Sequence, residues 1–357
     1  MKKPAFLLFI LFTIFSSLSN AQFTVSGRII DSATKEPMAG ASVFCQNTTI
    51  GTATNKQGEF TLNIKSGGYD LIITNMGYQV KQLKISHTDS RIPDIEMIKE
   101  DKTLGEVIIT SSNEVKDGWE KYGSFFIDHF IGTTPNAAKL KLNNPEVLKF
   151  YFLKRSNKLR VLATEPLLME NVALGYNMRY QLDSFVYYYN TDINSYSGYC
   201  LYTEMEGGDS LQRAWARNRR NAYLGSKLHF MRSYYDSTVR QEGFVIDLLD
   251  ESDETKFNGI DNIYDTTYFG AVDSTGQIEV WFPRKMRITY GGARPDPQYL
   301  KKYGLPKDVL LQISYVDPKN AIAVMENGYF HEQRDWINQG YWGWKNIADM
   351  LPYDYTP

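Results

Sequence analysis

The sequence predicts a multidomain protein in which an all-β sandwich is followed by a larger α+β domain. Two observations lead to this prediction. Between Phe23 and about Ile98, short apolar stretches alternate with polar turns, and no stretch has the period of a helix. Beyond residue 112, helical and strand-like patterns are mixed without regular alternation, which is typical of an α+β fold.

The first 21 residues have the layout of a secretory signal peptide. Lys2 and Lys3 supply a basic start, Phe6–Phe15 is an apolar run too short to span a bilayer, and Ser19–Ala21 offers small residues for cleavage. Cleavage before Gln22 would release an exported chain, whereas an uncleaved segment would act as a membrane anchor. We expect export, to the periplasm, to the outer membrane or out of the cell.

Charge and composition narrow the classes of function. The chain has 357 residues and a net charge of −2, and loss of Lys2 and Lys3 makes it more negative by two. This small negative charge gives no bias toward nucleic acid. No later stretch approaches about 18 uninterrupted apolar residues, so we expect no transmembrane helix in the mature chain. Cys45 and Cys200 could form a disulfide after export, but they fall in different predicted domains, and two buried thiols are favoured.

The elements of the first domain follow from turn residues and alternation. Asp31–Pro37 is predicted to be a polar loop after the first strand, and Ala41–Phe44 to be the next strand. Asn55–Gly58 predicts a turn whose glycine takes a positive φ. Apolar and polar residues alternate over Phe60–Ile64, as in a half-buried strand. Further strands are predicted at Leu71–Ile73 and Val80–Ile85.

Four motifs of this domain occur in a fixed order. They are Val25-x-Gly27-Arg28-Ile29-x-Asp31, Pro37-Met38-Ala39-Gly40-Ala41-Ser42-Val43, Gly51-Thr52-x-Thr54-Asn55-x-x-Gly58-x-Phe60 and Met76-Gly77-Tyr78. Together they resemble the carboxypeptidase-regulatory-like family, whose members are transthyretin-like β-sandwiches appended to many exported proteins. The resemblance implies a fold and an envelope setting. It implies no catalysis, because the module carries no zinc ligands.

The chain is therefore divided into four parts. These are a signal peptide over 1–21, the sandwich over 22–98, a linker or strand over 99–112 and the α+β domain over 113–357. Leu104–Thr110 resembles a segment that follows the same sandwich in Bacteroidetes outer-membrane transporters. A barrel of that type needs about 22 strands of roughly ten residues, more than the remaining chain supplies. An extended linker is the simpler interpretation, and a partner-binding strand is the alternative.

The second domain contains nearly all the tyrosines and all six tryptophans. We predict an amphipathic helix over 113–131, a helix from Asp209 to about Gln241 with a possible break at Gly225, and a last helix carrying Trp344 and Leu351. Strands are predicted within Leu148–Tyr189 and at Ile278–Phe282, Val309–Val316 and Ala321–Met325. The segments Arg217–Ser226 and Gly343–Tyr353 resemble recurring parts of Bacteroidetes proteins that contain a carboxypeptidase-like regulatory domain. That resemblance implies no activity.

The sequence offers no recognisable catalytic set. Gly208–Leu211 spells the nucleophile motif of GDSL hydrolases, but no histidine follows an aspartate at the required spacing, and a helix start explains the motif better. The four histidines lack zinc-binding spacing. The acidic stretch between Asp247 and Asp265 lacks the ligand spacing of a calcium loop. We therefore predict neither a metal nor a cofactor.

Seven residues are candidates for a binding surface. Three arginines share one face of the predicted central helix and could hold a phosphate or carboxylate, although pairing with acidic neighbours is the simpler explanation. Four tyrosines could form an aromatic platform, although packing alone also explains tyrosine in strands. The candidates are Arg213, Arg217, Arg220, Tyr187, Tyr189, Tyr196 and Tyr199.

The leading hypothesis is a non-enzymatic envelope protein that binds, or assembles with, a protein partner or a glycan. Export, the resemblance of the sandwich, the aromatic second domain and the missing catalytic set all favour it. The alternative is an envelope hydrolase, peptidase-like or glycosidase-like, with an unrecognised site in the second domain. A purely structural role is a third possibility.

Overall fold

Seven strands between Phe23 and Met97 form a two-layered β-sandwich in the computed structural model of the chain. They are β1 (Phe23–Asp31), β2 (Ser42–Cys45), β3 (Gly51–Ala53), β4 (Glu59–Ile64), β5 (Tyr69–Thr74), β6 (Lys81–Ile85) and β7 (Ile95–Met97). One sheet has the order β4-β1-β7 and the other β3-β2-β5-β6. Alternate residues of both sheets, among them Val25, Val43 and Ile73, are fully buried between them. The predicted β-sandwich is confirmed.

The structure describes residues 23–64, 68–85, 90–100, 113–253, 255–271, 276–330 and 336–357. The predicted signal peptide and the Leu104–Thr110 segment lie outside these residues. Within them, no helix is long and apolar enough to cross a membrane.

The turn before β4 has the predicted conformation. Gly58 has φ +74°, and a Cβ at this position would collide with the carbonyl oxygen of Ile29. Only glycine combines this backbone conformation with so close an approach. Phe60, Leu62 and Ile64 are then buried and alternate with exposed residues, as the sequence pattern predicts.

The second region mixes five α-helices with fourteen strands among its described residues. The helices are α1 (Gly118–Phe126), α2 (Asp209–Tyr223), α3 (Lys227–Tyr235), α4 (Pro297–Lys302) and α5 (Tyr341–Trp344). The first strands are β8 (Leu140–Leu142), β9 (Leu148–Leu153), β10 (Lys158–Ala163), β11 (Leu167–Asn171), β12 (Tyr176–Tyr188) and β13 (Ile193–Glu204). The later ones are β14 (Phe244–Leu249), β15 (Phe257–Gly259), β16 (Phe269–Ala271), β17 (Gln277–Val280), β18 (Met286–Tyr290), β19 (Gln312–Pro318), β20 (Ile322–Met325) and β21 (Trp336–Gly340). Helices and strands do not alternate regularly, so the α+β prediction is confirmed.

These elements surround two hydrophobic cores. The first lies between α1 and a six-stranded sheet of order β8-β11-β12-β10-β9, in which β13 pairs with the other side of β12. The second lies between a five-stranded sheet, β15-β14-β18-β19-β21, and a three-stranded sheet, β16-β17-β20. Helix α3 supplies Phe230 and Tyr234 to the second core, whereas α2 supplies Ala222 and Tyr223 to the first.

The helices differ in three respects from the sequence prediction. The first is shorter than 113–131, because its α-helical part begins at Gly118 and passes into a π-helical turn over Ile127–Ile131. The central helix breaks at Gly225, as predicted, but its second half ends at Tyr235. The predicted last helix is wrong as a continuous element: α5 ends at Trp344, and only one 3₁₀ turn, Ile347–Asp349, follows.

The sandwich packs against the second region through the turn between β2 and β3. Asn47 adopts a left-handed conformation with φ +54°, and its Oδ1 accepts a hydrogen bond of 2.9 Å from the backbone N–H of Cys200. Its carbonyl oxygen accepts a further bond of 2.8 Å from Tyr353 N–H. The next residue, Thr48, forms a parallel bridge with Leu201. The turn therefore extends the hydrogen bonding of the sandwich onto the edge of β13.

A second contact buries polar groups between the two parts. The carboxylate of Asp70 on β5 accepts a hydrogen bond of 3.0 Å from the Tyr329 hydroxyl. Gly68 O accepts one of 3.2 Å from Asn327 Nδ2. Burial, followed by the nearby Asp70 charge, raises the pKa of Tyr329, so its hydroxyl keeps its proton and remains a donor.

The two cysteines are free and buried, as the sequence analysis favoured. Burial raises the pKa of both thiols, which keeps them protonated and unreactive at neutral pH.

Candidate functional site

Trp215 anchors helix α2 against the rest of the second region. Trp215 is buried, and its indole N–H donates a hydrogen bond of 2.9 Å to Val172 O in the turn between β11 and β12. Gly175 and Gly207 leave room for the indole, because a Cβ at either position would collide with it. This packing fixes the rotation of α2 and thereby determines which of its arginines face outward.

Arg219 lies one turn beyond Trp215 on the buried face and is only 8% exposed. Its guanidinium donates to Leu174 O at 2.7 Å, to Gly175 O at 3.1 Å and to Glu204 Oε1 at 3.0 Å. The same group lies 3.9 Å from the centre of the Tyr176 ring. Because its charge is satisfied on every side, Arg219 has a structural role. Arg219 is not among the candidates predicted from the sequence, although its spacing of four residues from Trp215 is a signal that it faces inward.

The three candidate arginines lie on the exposed side of α2. Arg217 and Arg220 line a cleft with a volume of about 670 Å³, whereas Arg213 lies nearer the start of the helix and outside the cleft. We call this the α2 cleft. The cleft is also lined by Tyr176 and Glu204 of the β12–β13 hairpin, by Thr49 of the sandwich, and by Pro352 and residues 354–357. Four separate parts of the chain therefore meet at this site.

Two acidic side chains of the α2 cleft already have partners. Glu204 pairs with Arg219, and Asp354 accepts hydrogen bonds from the backbone N–H of Thr49, at 2.9 Å, and from its hydroxyl. Within the described part of the chain, no carboxylate lies within ion-pair distance of Arg217 or Arg220. The predicted structural pairing of these two arginines is thus not seen there. The cleft presents two guanidinium groups that are free to bind an anion.

The four candidate tyrosines do not form one platform. Tyr187 is buried, where its hydroxyl donates to Asp192 and its ring meets Phe125 edge-on at 4.7 Å. Burial and the hydrogen bond to Asp192 raise its pKa to about 12. Tyr189 packs beside it and is partly exposed.

The other two tyrosines point elsewhere. Tyr196 packs edge-on against Phe130 of the first core, with ring centres 5.1 Å apart. Tyr199 reaches the sandwich, where its hydroxyl donates to Gln82 Oε1 at 3.2 Å. None of the four tyrosines lines the α2 cleft. Their proximity in sequence reflects the long β12–β13 hairpin, which distributes them over a core, an edge and an interface.

The described histidines are occupied by packing and hydrogen bonds. His129 stacks on Phe125 at 4.0 Å, and His229 is buried beside Glu242. His87 and His331 lie outside the described residues. Among the described residues, no three histidine, cysteine or acidic side chains come together as a metal site.

Comparison with known proteins identifies the first domain. A sequence model of the CarboxypepD_reg-like domain matches residues 25–109. The TonB-dependent receptor SusC of Bacteroides thetaiotaomicron is 34% identical over 97 residues, which are 27% of this chain and 9% of SusC. The chain thus matches less than a tenth of the length of this curated relative.

Solved structures match parts of the chain weakly. A type II cohesin–X-dockerin complex of Acetivibrio cellulolyticus is 26% identical, covering 23% of this chain and 62% of the other, with a TM-score of 0.20. The C-terminal domain of the shaft pilin SpaA of Lactobacillus rhamnosus GG is 17% identical, covering 22% and 99%, with a TM-score of 0.19. A putative membrane-associated protein of Bacteroides fragilis is 12% identical, covering 45% and 64%, with a TM-score of 0.17.

The domain model, the ordered motifs and the seven-stranded sandwich agree with one another. The matched range runs past Ile98 into residues outside the described part of the chain. Residues 25–109 belong to the CarboxypepD_reg-like domain family.

Proposed function

We propose that this chain is an exported envelope protein that binds a partner without chemical turnover and holds an anionic group of that partner in the α2 cleft. The signal-peptide pattern and the CarboxypepD_reg-like domain support the envelope setting. The similarity to part of a TonB-dependent receptor agrees with it. We retain the division into a sandwich over 22–98, a linker over 99–112 and a binding region over 113–357 as part of this proposal.

The proposal rests on one observation: which charged side chains of the α2 cleft already have partners and which do not. Arg217 and Arg220 are exposed and face a concave surface, while Glu204 and Asp354 are occupied by other donors. A guanidinium binds carboxylate, phosphate or sulfate through two parallel N–H donors. A protein with surface carboxylates and a glycan with acidic sugars both present such groups.

The hydrolase alternative has less support in this cleft. Hydrolysis by carboxylates needs one group that is free to attack or to accept a proton, and a second that can donate one. Glu204 is held by Arg219, and Asp354 is held by two donors of Thr49. Both carboxylates therefore have partners within the chain and do not form a free reactive pair.

The proposal is tested by comparing the wild type with Arg217→Gln/Arg220→Gln, using Arg213→Gln as the matched control on the same helix. Inorganic sulfate, poly-glutamate and polygalacturonate are titrated by calorimetry at low ionic strength. We expect the double variant to bind about 10- to 100-fold more weakly, because two charge-assisted contacts are lost. The control should bind like the wild type.

The polymer that binds identifies the partner class. Preference for poly-glutamate indicates a protein partner, and preference for polygalacturonate indicates a glycan. Equal binding by the wild type and the double variant, or no binding of any of the three probes by the wild type, would show that the α2 cleft is not the site.

A further inference from the structure

An exposed loop after helix α4 combines large apolar side chains with lysines. Over residues 301–308 every residue is exposed, and Leu310 and Leu311 continue the exposed stretch. The apolar side chains and their exposed fractions are Tyr303 at 49%, Leu305 at 39%, Leu310 at 53% and Leu311 at 45%. We call residues 299–311 the α4 loop. Four large apolar side chains exposed so close together indicate a binding surface, whereas scattered single ones do not.

The loop has an ordered base and is not a frayed segment. Tyr299 and Leu300 are buried in a small cluster with Tyr341 and Trp344, and Val309 packs against the same cluster. Leu305 N–H donates a bond of 2.8 Å to Leu300 O, and Val309 N–H one of 3.3 Å to Pro306 O. These contacts hold the backbone beside Leu305 and Leu310 in place. Their exposure is therefore a property of the folded chain.

The charge on the α4 loop is positive. It carries Lys301, Lys302 and Lys307 against a single carboxylate, Asp308. Lys302 donates to the Thr133 hydroxyl at 2.9 Å, and none of the three lysines pairs with an acid among the described residues. The nearest other carboxylate on this element, Asp296, is occupied as the N-cap of α4. The loop thus presents cationic groups around apolar side chains.

We propose that the α4 loop inserts its apolar side chains into the surface of a membrane that carries anionic lipid headgroups. An exposed loop that carries both leucines and lysines suits the interface of a bilayer, where apolar side chains enter the acyl boundary and lysines reach phosphate groups. Tyrosine is also favoured at this depth, since its ring is apolar and its hydroxyl remains in the headgroup layer. Anionic headgroups supply a counter-charge for the lysines in the same layer into which the apolar side chains insert, so a lipid surface matches both properties of the loop.

This surface is distinct from the α2 cleft, so the two proposals are tested by different variants. Full-length protein is sedimented with vesicles of phosphatidylethanolamine and phosphatidylglycerol, and separately with vesicles of phosphatidylcholine alone. We expect binding to the anionic vesicles that weakens as salt is raised. Leu305→Ser/Leu310→Ser should lower the partition coefficient at least tenfold. Lys301→Gln/Lys307→Gln should lower it by about 30-fold on anionic vesicles only.

The matched control is Leu211→Ser, which removes a leucine that is 50% exposed at the start of α2. It should bind vesicles like the wild type. Thermal unfolding of each variant verifies that it is folded, and Leu310→Ser/Leu311→Ser provides a second apolar variant. The proposal is overturned if the wild type does not sediment with anionic vesicles, or if the leucine variants sediment as well as it does. It is equally overturned if the loop crosslinks to an envelope protein while vesicle binding is absent.

Discussion

At the scale of the residue, His229 shows how burial and hydrogen bonding fix one protonation state. Its Nδ1 lies 3.2 Å from the backbone N–H of Gly225 and must accept that proton. Its Nε2 therefore carries the ring hydrogen and donates it to Glu242 Oε2 at 3.0 Å. Burial lowers the pKa of His229, although Glu242 partly opposes this effect. The native fold consequently requires the neutral ring.

The first prediction concerns the pH dependence of stability. Because the pKa of His229 is lower in the folded than in the unfolded chain, the unfolded state binds more protons, and the contribution of His229 is lost as pH falls below about 6.5. Urea unfolding between pH 7.5 and 5 should show a falling free energy of unfolding in the wild type and a shallower fall in His229→Gln. An identical slope in His229→Gln would contradict this account.

The sequence predicts the arginines that line the α2 cleft but not the lining residues that are distant from them in sequence. The spacing of Arg217 and Arg220 places them on one helix face, and that face is exposed. Other lining residues are Thr49, Pro352 and residues 354–357, which meet over a separation of more than three hundred residues. No local pattern encodes such a contact. The same limit applies to the tyrosines, whose separation depends on the pairing of β12 with β13.

At the scale of the element, the break between α2 and α3 is specified by Gly225. This residue has φ +73°, its N–H bonds His229, and its carbonyl oxygen accepts a bond of 2.7 Å from the indole of Trp342. Ser226 then caps α3 by accepting from His229 N–H at 3.1 Å. One glycine thus orients two helices and anchors the segment that contains α5.

The second prediction is that Gly225→Ala lowers the free energy of unfolding by about 2–4 kcal/mol. The left-handed conformation accounts for part of this cost. The remainder comes from crowding, because the added Cβ would lie 2.5 Å from Tyr290 Cδ1. Gly40→Ala is the control, since Gly40 has φ +74° but no atom within 4 Å of its Cβ position. It should lose only about 1–2 kcal/mol in the same urea titration. Equal losses would show that crowding contributes nothing.

The segment after α5 shows why a helical pattern can mislead. Trp344, Ile347 and Ala348 have amphipathic spacing in sequence, yet all three are buried. Because this segment is buried on several sides, its apolar side chains need not lie along one stripe of a helix. Tertiary contacts determine its backbone path instead. Helix α2 has the opposite character: one face is held by Trp215 and the other is charged and exposed, and its start was predicted at the residue where it begins.

At the scale of the whole molecule, the sandwich and the second region share polar contacts that are buried from solvent. Asp70 is almost completely buried, and the Tyr329 hydroxyl that bonds it belongs to the other part of the chain. A polar group buried in this way is costly when its partner is removed. The orientation of the sandwich on the second region should therefore be specific.

The third prediction is a coupling between these two residues. In a double-mutant cycle with Tyr329→Phe and Asp70→Asn, we expect an interaction energy of about 0.5–3 kcal/mol in the free energy of unfolding. Tyr235→Phe is the control: its hydroxyl donates to Gly276 O at an exposed position, and it should not couple to Asp70→Asn. Additive effects of Tyr329→Phe and Asp70→Asn would indicate that these two side chains do not stabilise the interface through their contact.

Most of the sandwich could be predicted, because its turns and its half-buried strand are local features of the sequence. The strand order of the later sheets could not be predicted in the same way. In the five-stranded sheet, β14 pairs with β18 and β19 with β21, so its order depends on which strands meet at a distance. Strand patterns alone do not choose among such pairings.

The bond between Thr49 and Asp354 joins residues 305 positions apart, and that between Asn47 and Cys200 joins residues 153 apart. During synthesis the sandwich can complete its own strands before either partner residue has been made. Until then the turn between β2 and β3 has unpaired hydrogen-bonding groups, so the docking of the sandwich on the second region follows as a late step of folding. A truncated chain that ends before Asp354 should therefore fold its sandwich and leave this docking face exposed to solvent.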